Sequence, residues 1–353
     1  MKDSQFSFSR LFVLFLVIAG LFYIIDNMLQ FSNNASLMFN LLFWIAIAQG
    51  SIAVVASADI SGGSWIKPFK RDLLSVYPMI LFVAILFLVF IPKIDLYGWS
   101  QNQGKWLNKN FFIARDFLMI LLTYLLAHKF TKESMKDSKS MKKFAVLYMF
   151  SFIACQSLLA FDWVMSLDYP WISTLFGAYF FVEAFYTALA FGGILVFAFR
   201  DRYISTFGED YEKARRDLAT LIFGFSIFWA YQFFSQYLVI WYGNLPEEVS
   251  FIWRRIQTAP MKFTAYAILT VMFVVPFITF LFKPMKANYK VLLTISLIIW
   301  AGLIAERIFF LEPDMPLNPI ILVVQFLLMG GIFVYLLRNR VRMLGEYLPV
   351  KRD

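Results

Sequence analysis

Two long apolar runs meet at an eleven-residue stretch with two carboxylates, Phe161-Asp162-Trp163-Val164-Met165-Ser166-Leu167-Asp168-Tyr169-Pro170-Trp171. A similar arrangement follows at Ala305-Glu306-Arg307-Ile308-Phe309-Phe310-Leu311-Glu312, where an acid, four residues and a leucine again precede a second acid. The first acids of the two stretches lie 144 positions apart (306 − 162). We therefore expect the chain to contain an internal repeat.

The composition is too apolar for a soluble protein. Hydrophobic residues form 61% of the 353 residues and charged residues only 16%, whereas a soluble domain carries about 25% charged residues. Ten unbroken runs are long enough to cross about 30 Å of hydrocarbon as α-helix, at 10–30, 37–58, 73–91, 111–128, 144–165, 172–199, 218–242, 261–282, 289–310 and 319–337. They favour an all-α integral membrane protein with ten transmembrane helices over a β-barrel, which needs short alternating segments.

The repeat predicts the domain organisation. Two long outer segments carry Tyr-Gly, at Tyr97-Gly98 and Tyr242-Gly243, an offset of 145 (242 − 97). Spans two to five thus correspond to spans six to nine in the same orientation, unless so short a match is chance. We predict helix 1 in residues 1–35, one four-helix bundle in 36–170, a second in 171–312, and helix 10 with a cytoplasmic tail in 313–353.

Basic residues are concentrated on one side of the predicted spans. The loops on the side of the termini carry most Lys and Arg, whereas the other side has Lys93, Lys105, Lys109, Arg254, Arg255 and Lys262. Because cytoplasmic loops are enriched in Lys and Arg, both termini are predicted to be cytoplasmic. The first run lacks a small-residue cleavage site and is expected to stay as a helix. Membrane lipids explain the net charge of +9, so no nucleic-acid partner is expected.

The chain has one cysteine, Cys155, and one histidine, His128. Iron–sulfur clusters need several Cys and a bis-His haem needs two His. We therefore expect no metal and no redox cofactor in this chain, so that any electron transfer must use partner subunits.

Glu183 is the leading candidate for chemistry. If the sixth span starts at Trp171, twelve residues of about 1.5 Å each place Glu183 roughly 18 Å deep, near the bilayer midplane. Tyr179 and Tyr186 lie on the same helical face, where their hydroxyls are expected to join Glu183 in a hydrogen-bonded chain. The alternative is a protonated glutamate that only holds helices together.

Other acidic residues offer further proton-path candidates. Asp162 and Glu306 occupy corresponding places near outer helix ends and are candidates to take up or release protons. Near the same ends, Asp168, Glu312 and Asp314 are expected to be solvated and to fix turns. Asp116 follows Arg115, and adjacent residues point apart on a helix, so each is expected to find another partner.

The remaining candidates lie elsewhere in the chain. Asp59 and Asp72 flank an inner loop and are candidates for a path toward Glu183, and His128 is a lone interfacial histidine. A polar stripe in the seventh span is suited to a quinone headgroup, a wet cavity or helix–helix hydrogen bonds, and it consists of Trp229, Gln232, Ser235 and Gln236.

Two parts of the chain carry a family resemblance. The stretch 161–168, with Trp171-Ile172-Ser173-Thr174-Leu175-Phe176-Gly177 after it, resembles the F subunit of bacterial alternative complex III, a quinol-oxidising respiratory complex. The stretch 229–247 is similar to the same family, through Phe234-Ser235-Gln236-Tyr237 and Trp241-Tyr242-Gly243-Asn244-Leu245-Pro246-Glu247. The resemblance spans most of the ten-helix body, and its motifs are specific in combination only.

The resemblance implies a subunit of the NrfD and polysulfide-reductase type in the bacterial inner membrane. Its expected partners are a sister ten-helix C-type subunit, extracytoplasmic Fe–S and multihaem cytochrome c subunits, and the quinol pool. Haem c and Fe–S clusters would reside on those partners. The F subunit is often labelled as quinone-binding by homology. This chain lacks a His in its outer half, which departs from a C-like quinol site.

We thus expect a cofactor-free subunit of a quinol:cytochrome c or quinol:other-acceptor oxidoreductase that conducts protons and anchors partners. One alternative is the quinone-binding subunit of that complex. A stand-alone secondary transporter and a purely structural scaffold are the other two. Few Gly- or Pro-interrupted helices are visible in the sequence, which argues against the transporter.

The topology can be tested directly. A reporter enzyme that is active only in the periplasm, fused after Asp353, should show no activity, because the basic-residue distribution predicts a cytoplasmic C-terminus. The same reporter inserted in the outer segment 92–110 serves as the positive control. Strong activity of the C-terminal fusion would reverse the predicted orientation.

Overall fold

The computed structural model describes residues 7–28, 35–312 and 314–345. The termini at 1–6 and 346–353, which we expect to be cytoplasmic, lie outside the described residues, as do 29–34 and Pro313. Within the described part the regular elements are all helical, and ten helices are long and apolar enough to cross a membrane. The predicted all-α class with ten such helices is confirmed.

The ten long helices are named α1 to α10 in chain order. Their bounds are Phe8–Asn27, Ser36–Ser61, Lys70–Leu96, Lys109–Met135, Met141–Asp168, Leu175–Ala198, Glu209–Gly243, Ala259–Leu281, Tyr289–Leu311 and Pro319–Arg338. Shorter helices follow α6, α7 and α10 at Arg200–Phe207, Pro246–Ile256 and Arg340–Leu344. We call the end of the molecule that carries Pro246–Ile256 the outer end and the opposite end the inner end.

Local sequence explains several helix boundaries. Asn108 and Thr258 precede α4 and α8, and their side chains accept hydrogen bonds from the backbone N–H groups of Phe111 and Met261. Such caps satisfy N–H groups that have no partner within the helix. At the end of α2, Gly62 adopts φ 72°, a left-handed conformation that glycine accepts without steric cost.

Helices α2 and α6 form the centre of the molecule. Nearly every residue of α2 is buried, and α2 contacts α3, α5, α6, α9 and α10, while α6 contacts α5, α7 and α9 as well. Gly50 allows the closest approach, because a Cβ at this position would overlap the carbonyl oxygen of Ala184 on α6. An all-apolar helix can lie in a protein core or against lipid, and these contacts place α2 and α6 in the core.

The remaining helices surround this pair. Helix α3 contacts α4, and α4 contacts α5; α7 contacts α8, and α8 contacts α9. Helix α1 lies against α3 and exposes much of its surface. Chain neighbours therefore pack side by side on both sides of the central pair.

Three of the long helices contain a π turn, at Ile24–Met28, Ala160–Val164 and Thr270–Val274. A π turn inserts one extra residue and rotates the side chains that follow it, and such turns are frequent at functional sites. The turn in α5 contains Asp162, one of the predicted site residues. Nothing in the apolar periodicity of the sequence predicts these turns.

The predicted start of the sixth span at Trp171 is wrong. Residues 171–174 form no helix, and α6 begins at Leu175. Eight residues of about 1.5 Å place Glu183 about 12 Å along α6 rather than 18 Å. It therefore lies in the outer half of the helix, because the segment after Pro170 is irregular where the apolar pattern suggested continuous helix.

The α2–α6 contact predicts the effect of one substitution. Gly50→Ala should lower the free energy of unfolding by about 1–3 kcal/mol or more, since the added methyl group must push α6 away. Gly224→Ala is the matched control, because a Cβ at Gly224 meets no atom within 4 Å. Thermal unfolding in detergent measures both variants, and equal midpoints would contradict the close approach.

Candidate functional site

A first acid–arginine cluster joins α4 to α5 and consists of Arg115, Asp116 and Asp162. The Arg115 Nε donates to Asp162 Oδ2 at 2.8 Å. Asp162 is fully buried and also accepts a hydrogen bond from Trp106 Nε1 at 3.2 Å. We call this group the α4–α5 cluster. The π turn at Ala160–Val164 carries the Asp162 carboxylate.

Aromatic rings hold the arginine of this cluster in place. The Arg115 guanidinium lies 4.1 Å from the ring centre of Trp106 and 4.6 Å from that of Phe111, and it donates to the Trp106 carbonyl at 3.1 Å. Cation–π contacts of this kind stabilise a partly desolvated cation. The charge opposite Asp162 is therefore fixed in position.

Asp116 is the second carboxylate of the α4–α5 cluster. It is fully buried and accepts a hydrogen bond from Trp163 Nε1 at 2.8 Å. Its Oδ1 lies 3.6 Å from the Arg115 Nε. The adjacent residues Arg115 and Asp116 thus each find their nearest partner on α5, as their divergent directions on a helix suggested.

A second cluster joins α6 to α9 and consists of Glu183, Glu306 and Arg307, all buried. The Arg307 NH2 lies 2.5 Å from Glu183 Oε2, and its NH1 lies 3.8 Å from Glu306 Oε2. Tyr179 donates its hydroxyl hydrogen to Glu306. We call this group the α6–α9 cluster. It brings together three predicted site residues, Tyr179, Glu183 and Glu306.

The hydrogen-bonded chain predicted along one face of α6 does not form. Neither tyrosine bonds to Glu183: Tyr179 bonds to Glu306 and Tyr186 to the Met272 carbonyl at 2.9 Å. Partners on α8 and α9 replace the predicted intrahelical ones. Sequence reasoning missed Arg307 as the partner of Glu183, although an arginine inside an apolar run must pair with something.

The two clusters share one pattern. Each combines two carboxylates with one guanidinium, and each takes an adjacent acid and arginine from one helix and a further acid from a neighbouring helix. Asp162 and Glu306 are the acids that the predicted repeat relates. Both clusters lie in the outer half of the long helices, within about 12 Å of a helix end.

Several atoms in and beside the α6–α9 cluster have no hydrogen-bond partner among the described residues. They are Glu183 Oε1, Glu306 Oε2, Arg307 Nε, Arg307 NH1, Trp229 Nε1 and Gln232 Oε1. Buried polar atoms nearly always have a partner in proteins, and internal water is the usual one where protein atoms supply none. The interior around Arg307 is therefore a polar region that suits hydration.

A polar ladder continues inward from the α4–α5 cluster. Gln156 donates to the Gln49 side chain at 2.9 Å, Gln49 donates to Cys155 Sγ at 3.3 Å, and Tyr148 donates to the Gln49 carbonyl at 2.7 Å. All four residues are buried. Sequence reasoning missed Gln49, Gln156 and Tyr148, although glutamines inside apolar runs were a visible signal.

The inner acids already have basic partners. Asp59 lies 3.1 Å from Lys70 Nζ and accepts a hydrogen bond from Ser134 at 2.6 Å. Asp72 is fully buried and pairs with Arg202 and Arg340. Neither acid contacts Glu183 in the described structure. The predicted path from both acids to Glu183 is therefore not formed by direct contacts.

His128 occupies a half-buried position beside tyrosines. Its Nδ1 lies 2.9 Å from the Tyr77 hydroxyl, and its ring also packs against Tyr124. It contacts neither acid–arginine cluster.

The polar stripe of α7 is divided between different surroundings. Trp229 is buried with its ring 6.0 Å from that of Tyr179, and Gln232 is buried nearby. Gln236 accepts a hydrogen bond from Ser173 at 2.6 Å and lines a largely apolar pocket of about 410 Å³, which Tyr179 also lines. Ser235 lines neither this pocket nor the one described next.

A larger pocket of about 820 Å³ opens at the outer end. It reaches Asp162 and is lined by the indole rings of Trp99, Trp106 and Trp171. Its volume lies within the range of small-molecule sites, which are mostly apolar with a few polar groups. The pocket thus gives a predicted site residue an opening to the outer end.

The carboxylates of Asp168 and Asp314 are largely shielded from solvent in a four-charge cluster, with side chains 1% and 8% exposed, so the prediction that both are solvated is wrong. Arg255, fully buried, lies 2.6 Å from Asp168 and 3.4 Å from Asp314. Arg254 contacts both acids from the solvent side. Burial raises the pKa of Asp314, and repulsion from Asp168 raises it further. The attraction of Arg255 and Arg254 opposes this shift only in part. The cluster fastens Pro246–Ile256 to the outer ends of α5 and α9, whereas Glu312 is exposed as expected.

Within residues 7–28, 35–312 and 314–345, no three His, Cys, Asp or Glu side chains form a group that would hold a metal ion. Comparison with models of known protein families gives no match. Comparison with curated proteins gives none either. The family resemblance therefore stays a prediction.

The four-charge cluster predicts unequal effects for two adjacent arginines. Arg255→Gln should cost about 3–5 kcal/mol, because two buried carboxylates would then face each other without their buried cation. Arg254→Gln is the matched control and should cost no more than about 1 kcal/mol, since this side chain is half exposed. Hydrogen exchange of residues 246–256 measures the release of the helix. Equal exchange in the two variants would contradict this account.

Proposed function

We propose that the chain is a cofactor-free membrane subunit of a bacterial respiratory quinol oxidoreductase, in which it conducts protons and anchors partner subunits. The observation that carries the proposal is the occurrence of two buried clusters, each with two carboxylates and one guanidinium. A scaffold needs balanced ion pairs, whereas each cluster has an acid in excess. The resemblance to the F subunit of alternative complex III supplies the type of complex.

The proposed architecture is two parallel-related four-helix bundles with two outer helices. Helices α2 to α5 form the first bundle, in residues 36–170, and α6 to α9 form the second, in residues 171–312. The contacts of consecutive helices and the 144-residue offset support this division. Each bundle then contains one cluster, with Asp162 on α5 matched to Glu306 on α9, whereas the second carboxylate comes from α4 in the first bundle and from α6 in the second.

The charge balance of the α6–α9 cluster suits a proton-loading group. Two glutamates share one arginine, so one negative charge is in excess at a site that water reaches poorly. Uncompensated charge at such a site is costly, and one proton removes it. Because Arg307 contacts both acids, the proton can reside on Glu306 while Glu183 pairs with Arg307, or the reverse.

The proposed proton route has entry points at the outer ends of both bundles. Further inward it continues through the first bundle. The outer pocket reaches Asp162, Asp116 lies next to it, and the ladder of Gln156, Gln49 and Tyr148 continues toward the inner end. Internal water beside these side chains would complete the hydrogen-bonded path. Glu183 would serve a second branch in the other bundle.

The proposed setting is the bacterial inner membrane with both termini in the cytoplasm. A sister ten-helix C-type subunit, extracytoplasmic Fe–S and multihaem cytochrome c subunits and the quinol pool are the proposed partners. The outer segments near 92–110 and 243–260 are the proposed docking sites. The four-charge cluster supports this by holding Pro246–Ile256 in a fixed position with Trp253 exposed.

A second candidate function, quinone binding, is favoured by the outer pocket. Three indole rings offer flat apolar surfaces for a quinone ring, and the carboxylate of Asp162 can accept a hydrogen bond from a quinol hydroxyl. Loss of quinol oxidation in Asp162→Asn with full activity in Glu183→Gln would favour this candidate.

The decisive experiment replaces Glu183 by glutamine, which keeps the shape but cannot titrate. In the reconstituted complex, Glu183→Gln should leave assembly and part of quinol oxidation intact while it reduces the protons translocated per electron. Glu312→Gln is the control, because this glutamate is exposed near the same end. An unchanged proton yield, or loss of assembly alone, would reject proton conduction through Glu183.

A further inference from the structure

Three arginines converge on one carboxylate at the inner end. Asp72 is fully buried, Arg340 Nε lies 2.7 Å from its Oδ1, and Arg202 contacts its Oδ2. Tyr203 donates to the same Oδ2 at 2.5 Å. Arg71 Nε lies further away, at 3.8 Å from Oδ1.

The two nearest guanidiniums are held in place by an aromatic ring. The centre of the Phe199 ring lies 4.0 Å from the Arg340 guanidinium and 4.9 Å from that of Arg202. Arg340 NH1 also donates to the Leu337 carbonyl at 2.7 Å. The donors are therefore positioned before any ligand binds, which reduces the entropy lost on binding.

The described side chains leave this group with more positive than negative charge. Asp72 is the one carboxylate that Arg202 and Arg340 contact, and Arg202 NH1 is buried without a hydrogen-bond partner among the described residues. Burial lowers the pKa of Arg340. The attraction of Asp72 opposes this shift, and repulsion from Arg202 and Arg71 adds to it. Burial and then the nearby Asp72 raise the pKa of Tyr203, so the tyrosine stays neutral and adds no negative charge.

The location of the group limits the ligand. Arg71 and Asp72 lie in the first turn of α3, and Arg340 follows the end of α10 by two residues. The group thus lies level with the ends of two membrane-length helices, where the phosphates of lipid headgroups are found. The side chain of Arg202 is 30% exposed and that of Arg340 13% exposed, so an anion can approach from solvent.

We propose that Arg202 and Arg340 form a phosphate-binding site at the inner end of α3 and α10. Guanidinium groups bind phosphate oxygens through two parallel charge-assisted hydrogen bonds, which a single ammonium group cannot reproduce. The phosphate belongs to an anionic lipid or to a soluble phosphate. This inference does not depend on proton conduction or on the family resemblance.

The test uses the purified full chain in nanodiscs of phosphatidylglycerol and of phosphatidylcholine. Native mass spectrometry measures lipid retained after the discs are dissociated, and thermal unfolding with inorganic phosphate, against chloride of equal ionic strength, measures soluble-anion binding. The variants are Arg340→Gln, which leaves Arg202 paired with Asp72, and Arg340→Lys, which keeps the charge without the planar fork. Lys139→Gln is the control, an exposed lysine at the same end.

If retained phosphatidylglycerol falls about tenfold in Arg340→Gln but not in Lys139→Gln, the result supports the site and identifies a lipid as the source of the phosphate. A phosphate-dependent rise in the unfolding midpoint that Arg340→Gln abolishes supports it with a soluble source. Arg340→Lys should fall between wild type and Arg340→Gln. If folded Arg340→Gln retains lipid and responds to phosphate as wild type does, the site does not exist. Equal retention of phosphatidylcholine together with no response to inorganic phosphate would overturn it as well.

Discussion

A charge inside an apolar helix bundle needs a partner, because neither water nor another polar medium is there to solvate it. This constraint explains where the helices of the protein meet. Arg115 ties α4 to Asp162 on α5, and Arg307 on α9 ties Glu183 on α6. Since breaking either contact would leave a buried charge unpaired, the helices can slide or rotate little at these levels. Apolar packing alone would not fix that register.

The same constraint makes the two clusters different from simple ion pairs. Each places a second carboxylate within 3.8 Å of the guanidinium. One positive charge therefore faces two carboxylates. By contrast, the outer cluster of Asp168, Asp314, Arg254 and Arg255 is balanced in charge and holds a loop helix. The two buried clusters and the outer cluster thus differ in their balance of charge.

The proposed repeat would preserve this charge count without preserving the residues. Trp163 and Arg307 correspond under the 144-residue offset (307 − 163), yet one is an indole and the other a cation. The arginine of the first half is supplied instead by α4, through Arg115. The two halves also differ further inward, because the buried pair Gln49 and Gln156 extends the polar region of the first half. The buried polar region therefore extends further inward in the first half of the chain than in the second.

The sequence by itself determined the ten helices, their approximate bounds and the chemical type of most site residues, because apolar length and isolated charges are local properties of a chain. It also predicted that Asp162 and Glu306 correspond. Only the tertiary structure determined which charged residues form ion pairs. Glu183 pairs with Arg307 rather than with its own helix neighbours, and Asp168 pairs with Arg255 rather than being solvated. The sequence also did not predict the π turn that carries Asp162 or the start of α6 at Leu175. The physical reason is that a buried charge selects the nearest opposite charge in space, and that distance depends on how helices far apart in the sequence pack.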